Sequence, residues 1–425
     1  MIGKSTQIQN QIINIESVVL MHKITLKSTS MTTVRYAVFA LMLLMLNYAQ
    51  AQKKSTDHLN INSLISPIDS SNIFIDPGYY IWCGSSIVGE DGKYYLFYAR
   101  WLHGTRAKDD DSLNHIFDGF KGWQKYSEIA IAVSDKPTGP YKHVKTILKG
   151  NFNEQRWDRY TFHNPQVNYF NGQYYLYFIS NSFNDNMHFT KNLGRDQLHW
   201  YKYNCTQRIG MASSPTIKGF LNGSFFQKPE HLIMPDSIRT YEVTVNPSVC
   251  KGPDGRFYMM YKSRKPDLGH MTFWMAVADT PEGPFSFYSE VSSSADMASE
   301  DPYLWYDKKR KRFYAIAKYF SSKGKTDTEF GSLILLTSST GKDWTMANSY
   351  MVSPRKLSFS NGSEVKLSNL ERPCLLFDKK GNMQALFAAA AVKSPFNEKT
   401  KQVKPEENTF NVHIPLQLNK RSLRY

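Results

Sequence analysis

Short apolar runs punctuated by glycine dominate the chain. Ser85-Ser86-Ile87-Val88 leads into Gly89-Glu90-Asp91-Gly92, and Lys93-Tyr94-Tyr95-Leu96-Phe97-Tyr98 follows. The same order of strand, glycine turn and aromatic strand returns at Asn164–Phe178 around Gly172, at Asn246–Tyr261 around Gly255 and at Arg372–Phe387 around Gly381, and Asp301–Ala317 repeats the two strands with Asp307–Arg312 in place of the glycine turn. Asp-Gly, Asn-Gly and Lys-Gly tolerate the positive φ of a tight turn, and the flanking branched and aromatic residues suit a pleated surface, so each copy predicts a β-hairpin. Most copies continue into a third strand and a turn, as in Glu128–Val133 before Ser134–Tyr141 and Thr272–Ala278 before Asp279–Phe285. From Gly92 to Gly381 the four intervals average about 72 residues, room for three or four strands each. Sheets of that size repeated radially are the blades of a propeller, whose ring closure removes exposed edges. The pattern therefore predicts an all-β, five-bladed β-propeller in a single domain, with Thr409–Pro415 completing a blade together with N-terminal residues.

Composition agrees. The 425 residues are 41% hydrophobic and 21% charged, as in a chain that buries a core, and 8 Trp, 26 Tyr and 26 Phe favour strands and sugar-stacking surfaces over a helical bundle. One segment reads as an address tag. Arg35, the apolar run Tyr36–Leu46 and Ala49-Gln50-Ala51 stand in the order of a secretory signal peptide, and the run is too short to cross a bilayer. Residues 1–51 are thus expected to be an upstream segment and signal, with translation starting at Met31 and Met1–Ser30 over-called, residues 52–425 the propeller, and the product secreted or periplasmic, without a membrane span. Net charge is +15; the first 51 residues hold four basic residues and one acid, so the remainder is still +12. Export argues against nucleic acid as the partner, which leaves an anionic surface, an acidic or sulfated glycan, or a solvated basic coat. Cys83, Cys205, Cys250 and Cys374 lack metal-site spacing and are expected to be buried free thiols, and neither the cysteines nor Asp109-Asp110-Asp111 predicts a metal or cofactor.

Residues that open the innermost strands of different blades converge on a propeller's central funnel. The residue before each repeat's proline marks that place: Asn164, Asn246, Asp301 and Arg372, preceded in three blades by His163, Glu300 and Glu371. Such a polar ring suits a polyhydroxylated or charged ligand. In the first blade Trp82-Cys83-Gly84 stands there, with Trp82 either a sugar platform or core.

These hairpins, of the form [Asp/Asn]-Pro-x…Gly-x-Tyr-Tyr-Leu-Tyr, and the turns at 134–141 and 278–285 resemble the five-bladed propeller glycoside hydrolases of the superfamily around families 43, 32 and 117, over roughly Asp76 to Leu418. The resemblance implies hydrolysis of a glycosidic bond by carboxylates on inner strands, one donating a proton and another attacking or activating water. Glu300-Asp301 is the best local pair, although successive strand residues point to opposite faces. Asp158, Asp76 and Glu371 complete the catalytic candidates, with Glu242 also open. Trp82, His163, Asn164, Asn246 and Arg372 are the candidates for substrate binding. The departure from the family pattern is the missing acid in blade one and the Asn in blades two and three. The expected activity is therefore an exo-acting glycoside hydrolase on a polysaccharide-derived oligosaccharide, the alternatives being a phosphorylase of related shape and a noncatalytic glycan-binding propeller.

Overall fold

A computed structural model describes residues 57–417, apart from 104–112, 153–154, 187–191, 237, 241, 266–268, 292–296, 322–327 and 396–407. The chain divides into Met1–Thr56 and Asp57–Tyr425. The proposed signal segment, the Asp109–Asp111 triplet and the basic stretch Lys420-Arg421-Ser422-Leu423-Arg424 lie outside the described residues.

Five four-stranded antiparallel sheets form the blades of a five-bladed β-propeller. Blade 1 is Tyr79–Val88, Tyr94–Leu102, Glu128–Ser134 and Lys142–Leu148. Blade 2 runs from Phe162–Phe170 through Gln173–Ser180 and Arg208–Ser214 to the short Phe226–Gln227. Blade 3 holds Thr244–Lys251, Phe257–Arg264, Met271–Ala278 and Ser286–Glu290, and blade 4 holds Ser299–Asp307, Arg312–Tyr319, Leu333–Ser338 and Thr345–Ser353. Blade 5 closes the circle as the sequence suggests: Asn369–Phe377 and Met383–Ala391 pair onward to Thr409–Pro415, and the outermost strand is the N-terminal Ile73–Phe74. Joining the two chain ends in one sheet leaves no open blade. A small extra hairpin, Lys356–Ser358 with Glu364–Lys366, had no counterpart in the repeat pattern.

The repeat hairpins are the first and second strands of each blade; the glycine turns of blades 1, 2, 3 and 5 take positive φ, 82° at Gly92 and 84° at Gly255, and in blade 4 Lys311 does so at 53°. These turns lie on one face of the disc. The longer connections, from the second strand to the third and from one blade to the next, lie on the other. Apolar side chains between blades form the core, including Leu96, Tyr98, Tyr314 and Phe387 at 0% exposure. Polar groups on the inner strands stitch neighbouring blades: Val167 N–H donates to Ser85 Oγ (3.0 Å), Val249 N–H to Gln166 Oε1 (2.9 Å), Leu304 N–H to Ser248 Oγ (2.8 Å), and the Tyr303 hydroxyl to Leu375 O (3.0 Å). All four cysteines are buried and free.

Candidate active site

Every inner strand carries the same irregularity near its start. Register breaks between Trp82 and Gly84, His163 and Gln166, Val245 and Ser248, Glu300 and Tyr303, and Glu371 and Cys374, each inserting one extra residue against the second strand. At each bulge one residue adopts positive φ: Cys83 (47°), Asn164 (52°), Asn246 (58°), Asp301 (65°) and Arg372 (54°). Asn and Asp visit this region readily; Cys and Arg do so at a cost of about 1–3 kcal/mol, and such strain persists where the surrounding structure imposes it. The bulge re-aims the side chain, and the five converge around the central channel.

They form a directional chain of hydrogen bonds. Cys83 Sγ–H donates to Asn164 Oδ1 (2.9 Å), Asn164 Nδ2–H to Asn246 Oδ1, and Asn246 Nδ2–H to Asp301 Oδ1 (2.8 Å). From the other side Arg372 Nη1 lies 3.2 Å from the same Asp301 oxygen. Asp301 is where the chain ends. Its second oxygen, Oδ2, is buried without a partner among the described residues, and so is Arg372 Nε. Burial, with the neighbouring charges of Glu300 and Glu371, pushes the Asp301 carboxyl up to about 6 against the pull of Arg372. On the turn side of the ring a cavity of about 40 Å³ is lined by Gln166, Tyr303 and Cys374 besides the ring residues. That volume suits one or two waters and excludes a pyranose.

One residue toward the loop-bearing face stand Trp82, His163, Val245, Glu300 and Glu371. Glu300 accepts from Lys262 Nζ (2.8 Å) and Lys318 Nζ (2.7 Å), and Lys318 also bonds Glu371 Oε1. Burial works against the Glu300 charge, but the two lysines outweigh it and hold the carboxyl well below the usual range. Lys318 in turn is held above its ordinary value by Glu300 and Glu371 despite its burial. Asn369 Nδ2–H donates to Glu371 Oε1 (2.9 Å), and Glu371 Oε2 has no partner among the described residues. Lys262 also lowers Glu242, the acid that enters blade 3; burial nevertheless pushes Glu242 up, with Arg264 Nη1 at 3.1 Å and Asn204 Nδ2 donating at 2.6 Å. His163 is enclosed between Ser127 Oγ (2.8 Å from Nδ1), Cys83 Sγ (3.6 Å from Nε2) and the Trp123 ring stacked at 5.0 Å. Burial and the charge of Arg372 keep it neutral, far below its ordinary value.

Of the sequence candidates, the structure gathers Asp301, Glu300, Glu371, His163, Asn164, Asn246 and Arg372 at the channel, with Cys83 filling the blade 1 position. Glu300 and Asp301 both serve the centre, contrary to simple strand alternation, because the bulge falls between them and the next paired residue. Asp76 and Asp158 are not brought to the ring. Asp76 is taken by Arg100 Nη1 (2.6 Å) and the Tyr98 hydroxyl (2.7 Å), both on the second strand of blade 1. Asp158 is clasped by Arg156 (2.7 and 2.9 Å) and by Gln227 on the edge strand of blade 2 (2.8 Å). Trp82, 3% exposed, packs edge-on to Phe120 and offers no face to a sugar. Lys262 and Lys318 were missed; the only signal for them is a lysine inside an otherwise apolar second strand, as in Phe313-Tyr314-Ala315-Ile316-Ala317-Lys318.

The chain matches no family model and no curated protein sequence. Its fold is that of known structures. A family 117 glycoside hydrolase, Zg3597, produced by the marine bacterium Zobellia galactanivorans, superposes with a TM-score of 0.51 at 14% identity over 83% of this chain and 89% of that one. A protein of unknown function from Dyadobacter fermentans gives 0.52 at 11% identity, over 83% of this chain and 100% of that one. The likeness is one of architecture, and the chemistry has to be argued from the ring.

Proposed function

We propose that this chain is a glycoside hydrolase that removes sugars from the ends of oligosaccharides, with Asp301 as the proton donor and Glu371 as the carboxylate that activates water or attacks the anomeric carbon. The observation that carries the reading is Asp301: a buried carboxyl raised to about 6, with one oxygen anchored by Asn246 and the other without a partner among the described residues. A leaving glycosidic oxygen needs a carboxyl still protonated near neutral pH, and burial is the usual means of keeping one so. Glu371, in the adjacent blade, commits a single oxygen to Lys318 and Asn369. Glu300 is held by a lysine on each oxygen and far below the usual range, so its part is to fix Lys262 and Lys318 in place rather than to move a proton. The similarity in fold to a family 117 glycoside hydrolase supports the reading. The sugar sits on the loop-bearing side of the ring, since the cavity beyond it is too small, and a closed ring favours a chain end over a mid-chain segment. We also propose export with cleavage after Ala51, on the order of Arg35, Tyr36–Leu46 and Ala49-Gln50-Ala51.

One observation favours a second reading, a noncatalytic glycan-binding propeller: the ring positions of blades 1 to 3 are Cys83, Asn164 and Asn246, none of them acidic. A single experiment separates the readings. The chain from Gln52 onward is incubated with a panel of plant and algal oligosaccharides, with and without phosphate, and products are resolved by chromatography beside calorimetric titration. Release of a terminal sugar without phosphate, reduced about 10²- to 10⁴-fold by Asp301→Asn, is the expected result. Heat of binding without any product would establish the binding module, and phosphate-dependent release a phosphorylase.

A further inference from the structure

The site does not account for the chain's positive charge. Around the channel Lys262, Lys318, Arg264 and Arg372 face Glu300, Glu371, Glu242 and Asp301, four cations against four carboxylates, each cation ion-paired with at least one of these acids. A local excess of positive charge lies on the opposite face. There the first hairpin turn of blade 4 reads Asp307-Lys308-Lys309-Arg310-Lys311-Arg312, and that of blade 5 reads Asp378-Lys379-Lys380-Gly381-Asn382. Seven cations stand against two acids.

Both acids are turned inward. Asp307 Oδ1 accepts from Lys309 N–H and Arg310 N–H (2.9 Å each), while its Oδ2 takes the Arg310 guanidinium (2.7 Å). Asp378 accepts from Lys380 N–H and Asn382 N–H (2.8 Å each) and from Asn382 Nδ2 (2.9 Å). The carboxylates thus cap their own turns, and the lysine side chains are left outside. Lys308, Lys309, Lys311, Lys379 and Lys380 are exposed and make no ion pair among the described residues. The two turns are neighbours, because the strands that feed them touch: the Trp305 and Phe377 rings are 6.4 Å apart. Six residues separate Asp301 from Asp307 along one strand, so the basic surface lies about 20 Å from the ring at about 3.3 Å per residue.

We infer that this face, formed by the turns Asp307–Arg312 and Asp378–Asn382, is a docking surface for a polyanionic polysaccharide carrying sulfate or carboxylate groups, separate from the catalytic ring. Clustered point charges on rigid turns suit a polymer with anionic groups repeating along its length; lysine attracts them without demanding one geometry. The choice of polysaccharide rests on the glycoside hydrolase reading, since a polymer held on one face keeps its chain ends near the other. A membrane is the poorer match: neither turn carries an apolar side chain to enter the acyl boundary, which interfacial binding uses alongside basic residues.

The test needs no turnover, so it stands or falls apart from the glycosidase reading. The chain from Gln52 onward is run through native gels containing dextran sulfate, neutral dextran or polygalacturonate, and assayed in parallel for co-sedimentation with phosphatidylglycerol vesicles and for retardation of duplex DNA. Expected are retardation by dextran sulfate and polygalacturonate but not by dextran, its loss as salt rises past about 0.1 M, where the screening length is about 10 Å, and at least a tenfold weaker interaction for the fourfold variant Lys308→Glu, Lys309→Glu, Lys379→Glu, Lys380→Glu. The matching fourfold change to Gln checks that the effect follows charge, and identical thermal midpoints check that the turns still fold. Retardation unchanged in both variants, no retardation of the parent chain, or stronger binding to vesicles or DNA than to dextran sulfate would each overturn the inference.

Discussion

Replacing Asp301 by Asn tests the electrostatics of the ring directly, without any substrate. The amide is nearly isosteric with a protonated carboxyl, and its oxygen can accept from Asn246 as Asp301 Oδ1 does. Folding raises this carboxyl to about 6 from an ordinary 3.8, chiefly through burial. A carboxyl raised by folding favours the native state fully only while it is protonated in both states. Its contribution is therefore complete below about pH 4 and is lost as pH rises toward 6, with no further change above. The gap corresponds to about 3 kcal/mol at 1.36 kcal/mol per tenfold in proton affinity. The variant lacks this dependence. Urea unfolding of both proteins between pH 4 and 8 should show equal stability, within about 1 kcal/mol, at the acid end, and Asp301→Asn more stable by up to about 3 kcal/mol at pH 7 and above. The same variant should lose hydrolysis. A variant less stable than the parent at pH 8 would refute the reasoning: it would mean that the ion pair with Arg372 outweighs desolvation and that Asp301 is ionised throughout, and a proton donor would have to be sought at Glu242.

Three further outcomes are expected. Lys318→Met removes the cation shared by Glu300 and Glu371 and leaves two buried carboxylates facing each other, so denaturant unfolding at pH 7 should show a loss of about 3–5 kcal/mol, shrinking as pH falls and these acids protonate. Gly84→Ala places a Cβ 2.9 Å from Leu96 Cδ1 and 3.1 Å from Asn411 Oδ1, and overpacking at the joint between blades 5 and 1 should cost about 1–3 kcal/mol by thermal unfolding; an unchanged midpoint would show that blade 5 yields there. Since burial raises the thiols of Cys83, Cys205, Cys250 and Cys374 above their ordinary values, Ellman's reagent at pH 8 should modify none of the four in the native protein and all four in urea.

The five hairpins were legible because a tight turn is local chemistry. Asp-Gly or Asn-Gly between branched and aromatic residues announces itself within a dozen positions, and repetition at a near-constant interval supplies the rest. Four of the five ring positions were legible for a related reason: proline follows each of them, and a proline early in a strand marks a break in the ladder. Blade 1 has Gly84 where the others have proline, and the structure gives the cause. A Cβ at Gly84 would already come within 2.9 Å of Leu96 Cδ1 and 3.1 Å of Asn411 Oδ1, so the bulkier proline is crowded out there.

What the chain order concealed was which charges meet. Asp76 and Asp158 lie close in sequence to ring residues, yet each is claimed by an arginine that the periodicity does not single out, Arg100 on the second strand of blade 1 and Arg156 two residues away. Lys262 and Lys318 belong to different blades and meet only because both flank Glu300. Net charge was misleading in the same way. A total of +15 invites a positive funnel, but a funnel whose cations each face a carboxylate steers little over distance, whereas turns whose aspartates are bound to their own backbone leave lysines free to act outward. The local balance of charges, not the chain total, decides which region is electrostatically silent. On that argument the proton chemistry and the long-range field of this protein occupy opposite ends of the same strands, and raising salt should weaken the capture of a polyanion while leaving the hydrolysis of a small neutral substrate unchanged. A hydrolysis rate on such a substrate that fell with salt in step with polyanion binding would show the two ends to be coupled.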